Sequence, residues 1–243
     1  MQRRDELWGW LAELGVAGAE EKARVLFDYA EMLWHEGSRL SVHGYSSLEE
    51  ILRQGIEDAA AAFGAAFGPL PAEGALVDVG SGGGLPGVVF AVLGERLAVT
   101  LVEAERRKVA FLEAVVRRLG LRLDVVWGRA EALARGRQRE AFAYGAARAL
   151  ARPPRALEFV APLVRPGGAV LLFVGPKTAT AGLGEVAASL GLGEPRLVRY
   201  VLASGEARGL LVAEKRAPTP ERFPQRRPGR GREWERGSEA WTP

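Results

Sequence analysis

Cysteine is absent from the 243 residues, which excludes disulfides, thiolate metal sites and cysteine nucleophiles and gives no sign of an oxidising compartment. Histidine is scarce as well: His35 and His43 are the only two, and they lack metal-ligand spacing. Both are expected at a surface or helix end rather than in catalysis. No apolar run approaches the roughly 18 residues of a membrane helix. The N-terminal MQRRDELWGWLAELG has neither the unbroken apolar core nor the small-residue cleavage site of a signal peptide. The expectation is a cytoplasmic protein with no membrane association. A formal net charge of +3 is compatible with a polyanionic partner without requiring one. What is present, 48% hydrophobic and 26% charged residues, is enough for one α/β domain with an appended helical cap.

The chain is organised around Ala75 to Gly87, ALVDVGSGGGLPG. A short apolar strand reaches Asp78, passes Gly80, Gly82, Gly83 and Gly84, and gives way to a helical pattern at Leu85. Glycines permit positive φ and close approach of a ligand to the backbone, and free N–H groups at a helix start favour an anionic group. This is a site for a nucleotide-like cofactor. Gly82-x-Gly84-x-x-Gly87, with Glu103 ending the next strand, also satisfies the dinucleotide fingerprint. Asp78 separates the two chemistries. A carboxylate there repels the paired phosphates of a dinucleotide, but suits the ammonium and sulfonium of S-adenosylmethionine.

In chain order, helical spacing predicts helices from Asp5 to about Leu14, stopped by Gly15, and from Ala19 to His35, ended by Gly37. Ser46-x-x-Glu49 or Ser47-x-x-Glu50 is a capping box for a third helix reaching Ala66. Residues 1–70 are thus expected as a helical cap, and 71–216 as the core. In the core, strands at RLAVTLVE, LRLDVVWG, AFAYGAARAL and Ala169–Val174 alternate with helices, a Pro166-Gly167-Gly168 turn precedes the last of these, and PRLVRYVL and ARGLLVAEK form a final pair. That order implies a mostly parallel sheet with an antiparallel edge. From Ala217 the composition turns to Pro, Gly, Arg and Glu, and residues 217–243 are expected as a basic tail. Its arginines, interleaved with Phe223, Trp234 and Trp241, are suited to phosphates and unpaired bases.

Several stretches resemble class I methyltransferases, and more narrowly the bacterial family that methylates guanine N7 in small-subunit (16S) ribosomal RNA, also called glucose-inhibited division protein B. The resemblance rests on DVGSGGGLPG, VEAERRKVAFLEAV, the Arg129-Ala130-Glu131 turn, Arg148-Ala149, EARGLLVAEK and TPERFPQRRPG. It implies a Rossmann-like, seven-stranded fold, S-adenosylmethionine as cofactor, and ribosomal RNA or a small-subunit precursor as partner, with a monomer as the expected state. It also implies that Asp78 lies near the methionine ammonium, that Gly80, Gly82 and Gly84 supply close backbone contact, and that Leu85 packs beside the ligand. Glu103 is implied to accept from the ribose, Ala130 and Glu131 to flank the adenine, and Arg148 to face cofactor and substrate. The chain departs from the family at three places: Arg39-Leu40-Ser41 stands for Asn-Leu-Thr, Gly55 for a histidine, and Val174-Gly175 for Lys-Gly.

Guanine N7 offers a lone pair and carries no proton, so its methylation needs no general base, in keeping with the lack of a catalytic dyad. Covalent pyrimidine chemistry needs a cysteine. Exocyclic-amine methylation of the common kind resembles a strand-end Asn/Asp-Pro-Pro-aromatic motif, whereas Pro153-Pro154 is followed here by Arg155. Transfer to another RNA site or a small molecule, a non-catalytic RNA-binding role, and a nicotinamide oxidoreductase are the alternatives left open.

Overall fold

The computed structural model describes residues 2–67 and 73–225. The tail from 226 onward, with Trp234 and Trp241, lies outside the described residues. Seven strands form one sheet: β1 Glu73–Val79, β2 Arg96–Glu103, β3 Leu123–Trp127, β4 Phe142–Arg148, β5 Val164–Val174, β6 Arg196–Val201 and β7 Ala207–Glu214, in the order β3-β2-β1-β4-β5-β7-β6. β1 to β5 run parallel, β7 is antiparallel to β5, and β6 is antiparallel to β7. The strand order reverses between β1 and β4, where a sheet of this kind opens a crevice at its carboxyl ends.

The sheet divides two cores. On one side Leu76, Leu101 and Leu210 pack with the cap and with helices α6 (Gly87–Leu93) and α7 (Arg106–Leu119). On the other, Val77, Val79 and Leu172 pack with α8 (Ala130–Leu133), α9 (Pro153–Val160) and α10 (Leu183–Ser189). Strand alternation therefore puts Asp78 on the face of Leu76, toward α6 and the cap. The expected Pro166-Gly167-Gly168 turn is part of β5 itself: pairing with β4 jumps from Phe142↔Val164 to Tyr144↔Ala169, so these residues form a bulge.

The cap consists of α1 (Gln2–Glu13), α2 (Ala19–Met32), and a third helical stretch from Leu48 to Phe67. Gly15 stops α1 as expected, with φ +72. Gly37 does not stop α2. Its φ is −63, and the helix continues as a π-helical turn over Leu33–Gly37 and then as α3 (Ser38–Leu40). Ser41, left-handed at φ 51, is the true end. Of the two candidate boxes, Ser47 caps α4 (Leu48–Glu50) by accepting from the Glu50 amide, while Glu50 accepts from Ser46. A second π-helical turn, Ile51–Glu57, joins α4 to α5 (Asp58–Phe67).

Composition separates the segment after Ala217 from the core, yet its first nine residues pack against it. Thr219 and Phe223 are buried. The buried Lys215 ammonium donates to the carbonyls of Ala161 and Val164, to Thr219 Oγ1 and to Glu140. Arg139 holds the carbonyls of Thr219 and Phe223, and Arg135 that of Pro224.

Candidate functional site

The turn after β1 is built by its own backbone and by the cap. The amides of Gly80 and Ser81 donate to Val102 O, and that of Gly84 to Ser81 O at 2.7 Å. Gly80, Gly82 and Gly84 all have positive φ. Gly82 is the least crowded of the loop glycines: at φ +57, a Cβ there would make only ordinary van der Waals contact, 3.7 Å from Val42 O. Gly87 is glycine for space. A Cβ would stand 2.2 Å from Leu101 Cδ2 and 2.7 Å from Asp78 Oδ2. The cap bears on the loop from above, where the buried Tyr29 hydroxyl donates to Gly83 O at 2.8 Å.

Asp78 is fully buried. Its Oδ2 accepts the Gly87 amide at 3.0 Å, securing the start of α6, while Oδ1 is buried with no partner. Burial pushes its carboxyl up to about 7 against the opposing pull of the Gly87 amide. A buried carboxyl with one unpartnered oxygen is the kind of group that a nearby cation would return to its charged form.

Glu103, also buried, ties the glycine loop to the end of β2. Its Oε2 accepts the Gly82 amide at 2.9 Å, and its Oε1 the amides of Ala104 and Glu105 at 2.7 and 2.8 Å. Ala130, buried, and Glu131 open α8 just beyond β3, so the two lie at the same end of the sheet as Glu103, whose β3 partner is Trp127. Leu85 packs against the cap: a Cβ on Gly55 would come within 2.9 Å of its Cδ1. A histidine at 55 would therefore displace Leu85 or Tyr45, whose hydroxyl lies 3.4 Å from the same point.

Arg148 ends β4 and is anchored to the cap. It pairs with the buried Asp58 at 3.4 Å and donates to the carbonyls of Gln54 and Gly55. Asp58 also accepts the Tyr200 hydroxyl at 2.6 Å. The acceptor carbonyls belong to the second π-helical turn, a wider turn of the kind that accompanies side chains reaching into a helix ladder. These two turns were not legible as such in the sequence; their signal is a glycine, Gly37 or Gly55, inside an otherwise helical pattern. His43 is a structural residue, with Nε2 2.7 Å from Leu33 O and Nδ1 accepting the Tyr45 amide. His35 is exposed. A hollow of about 680 Å³ lined by Arg4, Asp5, Trp8 and Arg24 lies on the cap, away from the strand ends, and has no convergent chemistry. Asp78, the glycines, Glu103, Ala130, Glu131 and Arg148 all lie at or just beyond the carboxyl ends of strands, which makes this end of the sheet the candidate site.

Residues 22–187 match the family described as rRNA small subunit methyltransferase G. Curated relatives named ribosomal RNA small subunit methyltransferase G include one from Moorella thermoacetica, 32% identical over 94% of this chain and 97% of its own. Another, from Rubrobacter xylanophilus, is 36% identical over 92% and 86%. Among solved structures, a predicted O-methyltransferase from Agrobacterium tumefaciens superposes with TM-score 0.52 at 20% identity, covering 67% of this chain and 82% of that one. A putative S-adenosyl-L-methionine-dependent methyltransferase from Methanococcus maripaludis gives 0.50 at 12%, covering 67% and 86%. The structural likeness shows a common fold. The match over most of the chain's length shows descent: this chain belongs to the rRNA small subunit methyltransferase G family.

Proposed function

We propose that this protein transfers a methyl group from S-adenosylmethionine to N7 of a guanine in small-subunit ribosomal RNA. The observation that carries the reading is the buried, half-satisfied Asp78 carboxylate beneath a glycine loop that is least crowded at Gly82, in a chain of this family. The residues fit the cofactor. An unpartnered Oδ1 suits a cationic ligand and repels the phosphates of a dinucleotide. The glycine-loop backbone, Leu85 and Asp78 would hold its amino-acid end. Glu103 Oε2 accepts a single amide and keeps capacity for a ribose hydroxyl; Ala130 and Glu131 would border the adenine. When bound, S-adenosylmethionine supplies an electrophilic methyl group.

The chain's own contribution is placement. The cap presses Tyr29 onto the loop and Gly55 onto Leu85, excluding water from that side. The Arg148 guanidinium, fixed by Asp58 and two cap carbonyls, presents positive charge at the end of β4 and would orient a substrate phosphate or base edge. No group need remove a proton, because N7 carries none, so positioning and water exclusion account for the rate. Single-turnover transfer at saturating cofactor is expected to be independent of pH from 7.5 to 9. A rate rising tenfold per pH unit would reveal removal of an acceptor proton and contradict N7 as acceptor.

A further inference from the structure

Residues 217–225 form a strap whose anchors climb α9 from its end to its start. Thr219 is held at the level of Ala161 and Val164 by Lys215. Farther on, the Gln225 amide donates to Glu158 at 2.5 Å and its carbonyl accepts from Arg155 at 3.5 Å. Arg155 is one turn from Arg152, which caps α9 and lies four residues after Arg148 at the mouth of the site. The strap thus travels toward the carboxyl ends of the strands.

The surface beside the strap is basic. Arg129 and Arg135 flank α8, and Arg137, Arg152 and Arg222 are likewise exposed. Of these, Arg135 is engaged through backbone carbonyls alone, at Glu131 and Pro224, so its charge is not cancelled by a carboxylate there. The exposed acid on the strap is Glu221.

We infer that the α8–α9–strap face is a docking surface for the phosphodiester backbone of the RNA substrate. The inference rests on the proposed RNA substrate. Guanidinium groups spread over one face match successive phosphates, and each neutralised phosphate releases counterions, so binding weakens as salt rises.

The test uses the full chain and deproteinised small-subunit ribosomal RNA lacking the modification. Kd is measured by filter binding at several salt concentrations for the unsubstituted protein, for Arg137→Ala/Arg152→Ala, for Arg152→Ala/Arg222→Ala, and for Arg24→Ala on the cap. The two double variants are expected to raise the RNA Kd about tenfold at 0.1 M salt and to reduce the slope of log Kd against log salt by about one to two. Their S-adenosylmethionine affinity and thermal midpoint should stay unchanged, which separates lost docking from lost folding. Unchanged RNA affinity and slope in both double variants, or an equal loss in Arg24→Ala, would overturn the docking surface. If the unsubstituted protein transfers no methyl group to this RNA, the proposed function fails instead.

Discussion

Asp78→Asn should make the fold more stable at pH 8 and the cofactor site worse. Burial holds the Asp78 carboxyl at about 7 in the folded chain, against an ordinary 3.8. Because the folded value is the higher one, the group's contribution to stability is fully present below about pH 4 and is lost as pH rises through 7. At pH 8, ionisation favours the unfolded chain far more than the folded chain, a handicap of about 4 kcal/mol; at pH 5 the handicap is about 2 kcal/mol. Asparagine has no such handicap. Its amide nitrogen, placed where Oδ1 finds no partner, costs about 1–3 kcal/mol at either pH. That cost cancels in the comparison between pH values, so the substitution should be worth about 2 kcal/mol more at pH 8 than at pH 5. Urea denaturation of cofactor-free protein at the two pH values measures this. Calorimetric titration at pH 8 should show S-adenosylmethionine binding weakened about tenfold or more, for loss of a buried carboxylate facing a cation. A substitution effect on stability equal at both pH values, or an unchanged cofactor Kd, would refute the reasoning.

In the unsubstituted chain the same carboxyl predicts that cofactor affinity falls about fivefold between pH 7 and pH 6 as the acid takes up its proton, which titration across that range checks. Tyr29→Phe removes the hydroxyl that donates to Gly83 O; it should cost about 1 kcal/mol in urea denaturation and raise the cofactor Kd several-fold by loosening the loop. Lys215→Met leaves Thr219 Oγ1, Glu140 and the carbonyls of Ala161 and Val164 without their shared donor. It should cost about 2–4 kcal/mol and speed hydrogen exchange at Gln225 while sparing cofactor binding.

Local signals carried much of this architecture into the sequence. The β1 turn is written in adjacent residues: an apolar run, one acid, then glycines whose freedom the backbone uses at Gly82. Glu103 and Ala130 follow from strand ends visible as apolar runs. The rest depends on partners far apart along the chain. Arg148 is legible as a strand-end arginine, but its acceptor at Gln54 O is 94 residues away, in a turn whose π-helical width no periodicity reports. Asp78 is legible as an acid near the loop; its burial and its bond to the Gly87 amide follow from alternation in β1 and the approach of α6. The strap has the composition of a solvated linker. What holds it is scattered over the α8–β4 connection (Arg135, Arg139, Glu140), α9 (Glu158) and the end of β7 (Lys215), and each looks like an ordinary surface charge until the fold assembles them.

The most direct test of the central claim is transfer of labelled methyl from S-adenosylmethionine to small-subunit ribosomal RNA, free and in particles, taken from cells lacking this protein, with the product nucleoside mapped. A single guanine carrying methyl at N7 is the predicted result. No transfer with cofactor binding intact, or label on any other atom or base, would contradict it.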